Sequence, residues 1–262
     1  MLIGITLSCL FCQCTKDVEY SVEGELIITK GCCFPDVTNK YFYPIQYGTE
    51  EWNKIHPDEW INACQLPDEV LKSISSLGLI RSFIDTPYPI HLIYLTASHL
   101  PLATARGIYF DFNSLNELLI REDGAQSLMI FYAATKLDCV ESLYANKNWN
   151  DIWNFSYRLT TIEYLFTLPE IIDKLSLENK KTVVEVLLAN YRKWLRLNND
   201  NPQNGHNGRL LTVMVWLMYD DMLPSFDRKT LDLLKENTFP NEVSFNDICD
   251  GIIAYAEKFI VK

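Results

Sequence analysis

Basic residues are the first thing this chain is short of. It holds 23 Lys and Arg against 34 Asp and Glu, a formal net charge of −11 over 262 residues, and none of the basic residues comes before Cys14. Such an excess of negative charge repels phosphate backbones and anionic lipid surfaces, which sets nucleic acid aside as a partner. The uncharged apolar run Met1 to Phe11 is about a dozen residues, whereas a helix that spans a bilayer needs about 20. Diagnostic chemistry is missing as well. There is no GxSxG, no HExxH, no Walker loop and no GxGxxG in a strand-to-helix setting. Beyond the N-terminal cluster no CxxC or Cys/His pair has zinc spacing. The sequence therefore assigns no catalytic residue, no metal, no cofactor and no ligand-binding residue.

What is present at the N-terminus is an address. The apolar run leads into Cys9, Cys12 and Cys14, followed at once by Thr15-Lys16-Asp17. An apolar segment that ends in a cysteine and passes into a charged stretch is the layout of a bacterial lipoprotein signal. Cys9 follows a small residue, Ser8; Cys14 is followed by the polar Thr15-Lys16-Asp17, and Cys14 is the expected lipid attachment site. The basic n-region of such signals is missing, which a start placed too far downstream would explain. Acyl chains on Cys14 would hold the chain to a membrane, each buried methylene contributing about 0.8 kcal/mol. The expected organisation is 1–14 signal, 15–38 tether and 39–262 a single α-helical domain. The other reading of the first residues is a short apolar helix or strand buried in the domain. Within the tether, Glu25 to Thr29 has strand-like composition but no evident partner strand.

Five cysteines remain beyond the signal: Cys32, Cys33, Cys64, Cys139 and Cys249. Five cannot all pair within one chain. Reduced thiols packed as small hydrophobes are the expectation, with a disulfide from Cys32 or Cys33 to another cysteine open in an oxidising envelope.

From about residue 56 onward the chain reads as helices separated by short breaks. Pro57-Asp58-Glu59 and Pro67-Asp68-Glu69 open two of them, with Pro and carboxylates in the first turn. Further helices are expected over 76–85, 90–98, 113–121, 125–137, 149–168, 177–197, 209–219, 227–236 and 246–260. The clearest stripes are Ile152, Phe155, Leu159, Ile162, Phe166 and Val184, Leu187, Leu188, Tyr191, Leu195, spaced by three and four. Leu-Pro precedes a helix at Leu66, Leu168 and Leu223, an echo without a regular period. The expected fold is all-α: an irregular superhelix or bundle of antiparallel helical hairpins, HEAT-like, behind an extended N-terminal segment.

The candidate chemistry-bearing residues read as structural. His91 and His99, eight residues apart, would lie about 80° and ~12 Å apart on a helix, too far to share a metal. Asp220 and Asp221 are adjacent, and adjacent helical side chains diverge by about 100°. The segment Tyr41 to Trp52 carries five aromatic residues in twelve positions. It reads as a strap sealing the first helices, or as an aromatic surface for a sugar or protein.

The runs Tyr43-Pro44-Ile45, Gly48 to Trp52, Ala63 to Pro67, Phe112 to Leu119 and Arg121-Glu122-Asp123 resemble a group of uncharacterised Bacteroidetes lipoproteins. The resemblance covers about residues 14 to 140. It implies an exported, lipid-anchored, mostly helical domain and no activity. The functional expectation is an outer-membrane lipoprotein, periplasmic or surface-facing, that binds an envelope protein, peptide or glycan and meets the membrane through its lipid alone. The alternative is an envelope hydrolase acting on glycan or peptide with paired carboxylates.

Overall fold

A computed structural model describes residues 18–20, 26–29, 34–87, 111–197, 205–236 and 245–262. Cys14, Cys32, Cys33, His91, His99 and the helix expected over 90–98 lie outside the described residues. The fold is all-α, as the helical periodicity requires. Its helices are α1 (Glu50–Asn53), α2 (Trp60–Ala63, after a 3-10 turn at Pro57–Glu59), α3 (Asp68–Ser73) and α4 (Ser76–Ile84). Next come α5 (Asn113–Ile120), α6 (Gly124–Ala134), α7 (Asp138–Ala145), α8 (Trp149–Leu165) and α9 (Pro169–Ile172). The chain continues through α10 (Leu177–Leu197), α11 (Gly205–Met222), α12 (Arg228–Lys235) and α13 (Phe245–Val261). Among the described residues no helix is long and apolar enough to cross a membrane.

The stripes read from the sequence are the core. Ile152, Phe155, Leu159, Ile162 and Phe166 are all buried, as are Val184, Leu187, Leu188 and Tyr191. On α10 the last turn is sealed by Trp194, with Leu195 half-buried beside it. Helices distant in sequence pack on one another: α6 on α10, α4 on α8, α8 on α11, and α10 on α13. A solenoid repeat touches only its neighbours; these contacts are those of a bundle around one continuous core.

Three features depart from expectation. Leu26–Thr29 does find partners: it is the middle strand of a small antiparallel sheet, paired with Val18–Tyr20 (Val18 opposite Thr29) and with Asp36–Val37 (Leu26 opposite Val37). The residues between Glu50 and Asn53 form a helical turn, because Thr49 Oγ1 accepts from the Trp52 N–H at 3.2 Å and two glutamates occupy the first turn. Helix α11 begins at Gly205, four residues before the helix expected over 209–219.

The N-terminal strap is fastened to α4 and α8. Tyr41 N–H donates to Ser82 Oγ at 2.8 Å, and Arg81 Nη1 donates to the Pro35 carbonyl at 3.1 Å. Phe34 stacks between Phe131 and Phe155, 6.5 and 4.8 Å away. The strap crosses so close to α4 that a Cβ on Gly78 would sit 1.8 Å from the Asn39 carbonyl oxygen.

Candidate ligand-binding site

The aromatics of the strap divide by burial. Tyr43 and Trp52 are buried, as a sealing strap requires, while Phe42 and Tyr47 face solvent. Lys40 lies over the Phe42 ring at 5.1 Å. A second aromatic surface stands on α8.

Trp149 and Trp153 open that helix four residues apart, 51% and 57% exposed. Residues at i and i+4 lie on one face, about 6 Å apart along the axis. Trp153 is roughly 120–160° round the helix from Leu159 and Phe155, so burying the apolar stripe turns the indoles outward. Each indole is braced by a tyrosine. Tyr144 meets Trp149 edge-on at 5.6 Å, and Tyr157 meets Trp153 edge-on at 6.2 Å. Tyr144 also packs edge-on against the buried Trp194 at 6.2 Å, which ties the outer ring to the core. Edge-to-face packing is the arrangement that ring quadrupoles favour.

The turn before the ridge is built as firmly. Asn148 N–H donates to the Leu143 carbonyl and Lys147 N–H to the Tyr144 carbonyl, both at 3.0 Å. This pair of bonds is the Schellman closure of α7. It places Lys147 at φ 54°, a left-handed conformation that glycine occupies at less cost. Helix α7 is itself pinned, since Lys193 on α10 pairs with Asp138 and with Glu141 at 3.4 Å. The Lys193 ammonium holds the Asp138 carboxyl below its usual range.

Around the indoles lie Asn146, Asn148, Asn150 and Asn154, all exposed. Asn148 Nδ2 donates to Asp151 at 2.5 Å, and Asn154 Oδ1 accepts from Arg158 at 3.1 Å. Asn150 spends its carboxamide on no other described residue. Among the described residues the close charges are Lys147 and Asp151, which offset each other, and Arg158, which pairs with Asp85 at 3.0 Å.

The catalytic alternative points to a different place. Glu163 on α8 is buried, its Oε1 accepting from Tyr132 at 3.0 Å; the Tyr132 hydroxyl in turn accepts from Asn190 at 2.9 Å. Burial pushes the Glu163 carboxyl up to about 8, against the Tyr132 hydrogen bond and the Arg209 charge, which pull it down. The Tyr132 hydroxyl is pushed well up by burial and by Glu163. This cluster joins α6, α8 and α10 inside the core. A glycosidase needs two carboxyl groups flanking an accessible bond, and Glu163 meets a phenol and a guanidinium instead. Among the described residues no group of three or more His, Cys, Asp and Glu is placed to hold a metal. Asp220 and Asp221 are exposed at the end of α11, where the Asp221 carbonyl accepts from the Tyr255 hydroxyl.

The cysteines divide. Cys64 and Cys249 are buried thiols outside any disulfide, as expected. Cys139, half-buried in the first turn of α7, is disulfide-bonded instead, which corrects its reading as a reduced core thiol. No protein-family model, no curated protein and no solved structure matches this chain, so the meaning of the ridge rests on its own chemistry.

Proposed function

We propose that this is a lipid-anchored protein of the bacterial envelope, held by acyl chains on Cys14, that binds its partner through the aromatic ridge of α8. One observation carries the binding role: two half-exposed tryptophans on one face, each braced by a tyrosine. Exposed aromatic patches of this kind mark recognition surfaces, and tryptophan is prominent among residues that dominate binding energy. The disulfide at Cys139 supports the address, since disulfides persist in oxidising compartments. The acidic charge favours attachment through lipid rather than through a basic face.

Two measurements test this reading. Metabolic palmitate labels the wild type and not Cys14→Ala; label in neither sinks the anchor. Trp149→Ala/Trp153→Ala, folded as judged by circular dichroism, loses the capture of envelope components that the wild type shows; unchanged capture sinks the ridge as the binding face.

A further inference from the structure

We propose that the ligand of the ridge is a neutral oligosaccharide, with Trp149 and Trp153 stacking on its sugar rings and the Asn150 carboxamide holding its hydroxyl edge. The inference rests on the binding role proposed above and names the chemistry of the ligand.

A pyranose ring has a C–H face that is apolar and slightly positive, and a rim of hydroxyls. The face matches the negative face of an indole. The rim calls for groups that donate and accept at once, which a carboxamide does. The ridge supplies both: two indoles about 6 Å apart along the helix and the carboxamide of Asn150, adjacent in sequence to Trp149 and three residues before Trp153. Bracing by Tyr144 and Tyr157 limits the freedom that the indoles would lose on binding.

Charge separates this ligand from its rivals. The chain carries a net charge of −11, which repels acidic glycans and anionic lipid. An interfacial membrane face pairs its aromatics with several free Lys or Arg, whereas this ridge has Lys147, offset by Asp151, and Arg158, whose guanidinium is already paired with Asp85 at 3.0 Å. A protein-binding core surrounds its anchors with apolar contact area, while here the fringe is a set of asparagines.

The test is a titration of the full chain, followed by tryptophan fluorescence and calorimetry, against soluble cello-, laminari-, xylo-, manno- and malto-hexaose. Parallel titrations use zwitterionic and anionic lipid vesicles. The expected result is saturable binding of at least one hexaose. Trp149→Ala and Trp153→Ala each weaken it by about tenfold or more, Asn150→Ala weakens it less, and Phe42→Ala on the strap leaves it unchanged. Three results overturn the proposal: no saturable binding of any hexaose, binding that survives the double tryptophan variant, or a fluorescence response to vesicles alone. If no hexaose binds but the double variant loses an envelope protein that the wild type captures, the ligand class falls and the binding role stands. If the double variant keeps every interaction of the wild type, both fall.

Discussion

Gln65 and Asn113 form a two-way clamp: the Gln65 side chain binds the Asn113 backbone, and the Asn113 side chain binds the backbone of Leu66, the residue after Gln65. The Asn113 carboxamide accepts from the Leu66 N–H at 2.9 Å and donates to the Leu66 carbonyl at 2.8 Å. The Gln65 carboxamide accepts from the Asn113 N–H at 2.8 Å and donates to the Asp111 carbonyl at 2.8 Å. Two runs distant in sequence, Ala63 to Pro67 and Phe112 to Leu119, thus meet in space as a backbone clamp. Arg121 works the same way. Its guanidinium donates to the Leu71 and Ile74 carbonyls at 2.7 and 2.6 Å, closing the C-terminus of α3. These side chains tie the segments around α3 and the start and end of α5 together.

Removing the clamp has a measurable cost. Asn113→Ala leaves the N–H and carbonyl of the buried Leu66 without that partner, and buried unsatisfied groups cost about 1–3 kcal/mol each. A loss of roughly 2–4 kcal/mol in urea denaturation is expected. A loss within ~0.5 kcal/mol, typical of unremarkable surface positions, would show that solvent replaces the carboxamide freely.

How far the sequence carries can be followed along α8. Its buried stripe was legible because spacings of three and four survive any tertiary context. The ridge was equally present in the sequence, as Trp149, Trp153 and Tyr157 at steps of four, but an aromatic at helical spacing reads first as core. Only the direction of the apolar stripe shows that these rings point away from it. Helices α1 and α9, of four residues each, are too short for periodicity to show. A closer look at Thr49-Glu50-Glu51, a cap followed by acids, would have signalled the first of them. The partners of Leu26–Thr29 were not legible, since strand pairing is set by non-local contacts that no local pattern records.

Gly78 is where the strap depends on a missing side chain. A methyl group there would sit 1.8 Å from the Asn39 oxygen and 2.6 Å from Ile74 Cγ1. The Ile74 contact is with a side chain, but the Asn39 contact is with backbone, which the Tyr41 bond to Ser82 holds nearby. Gly78→Ala is expected to destabilise the protein by about 1–3 kcal/mol or more. Amide exchange should rise first over 34–45. Uniform exchange across the bundle, with the strap as protected as before, would show that α4 shifts instead.

Glu163 links stability to pH, and the sign follows from its environment. Burial raises its carboxyl from 4.5 to about 8, while in the unfolded chain it ionises near its ordinary value. Between those values the folded state keeps a proton that the unfolded state has released. Stability therefore falls as pH rises through this window, by up to about 1.4 kcal/mol per pH unit. Below it both states are protonated and the penalty vanishes. Glu163→Gln keeps an acceptor for the Tyr132 hydroxyl and cannot ionise. It should match the wild type near the acid end of the window and exceed it near the alkaline end. Parallel stability curves for the two proteins across the window would mean that Glu163 stays ionised in the fold, held by Arg209.

The disulfide at Cys139 fixes one end of α7, the helix that carries Tyr144. Removing a native disulfide typically costs about 2–4 kcal/mol. Dithiothreitol should lower the melting temperature of the wild type, and Cys139→Ser should melt at that lower temperature with or without reductant. A wild type indifferent to reductant, with Cys139 alkylated by iodoacetamide under native conditions, would show a free thiol.

Lys147 bears on the ridge directly, because its left-handed backbone sets the angle at which α7 hands the chain to α8. A residue with a Cβ at φ 54° carries a cost that glycine escapes, about 1–2 kcal/mol for an ordinary L residue. Glycine gives back part of this through its greater freedom in the unfolded chain. Lys147→Gly should therefore raise stability by about 0.5–1 kcal/mol, and a β-branched Lys147→Val should lower it. The Schellman bonds from Lys147 and Asn148 use backbone groups alone, so Lys147→Gly preserves them and the Tyr144 brace on Trp149. The fluorescence maximum of the variant should match that of the wild type. A stabilised Lys147→Gly with a shifted maximum would mean that the turn has re-formed with a different exit angle, and that the lysine side chain, rather than the backbone, holds the indole in place.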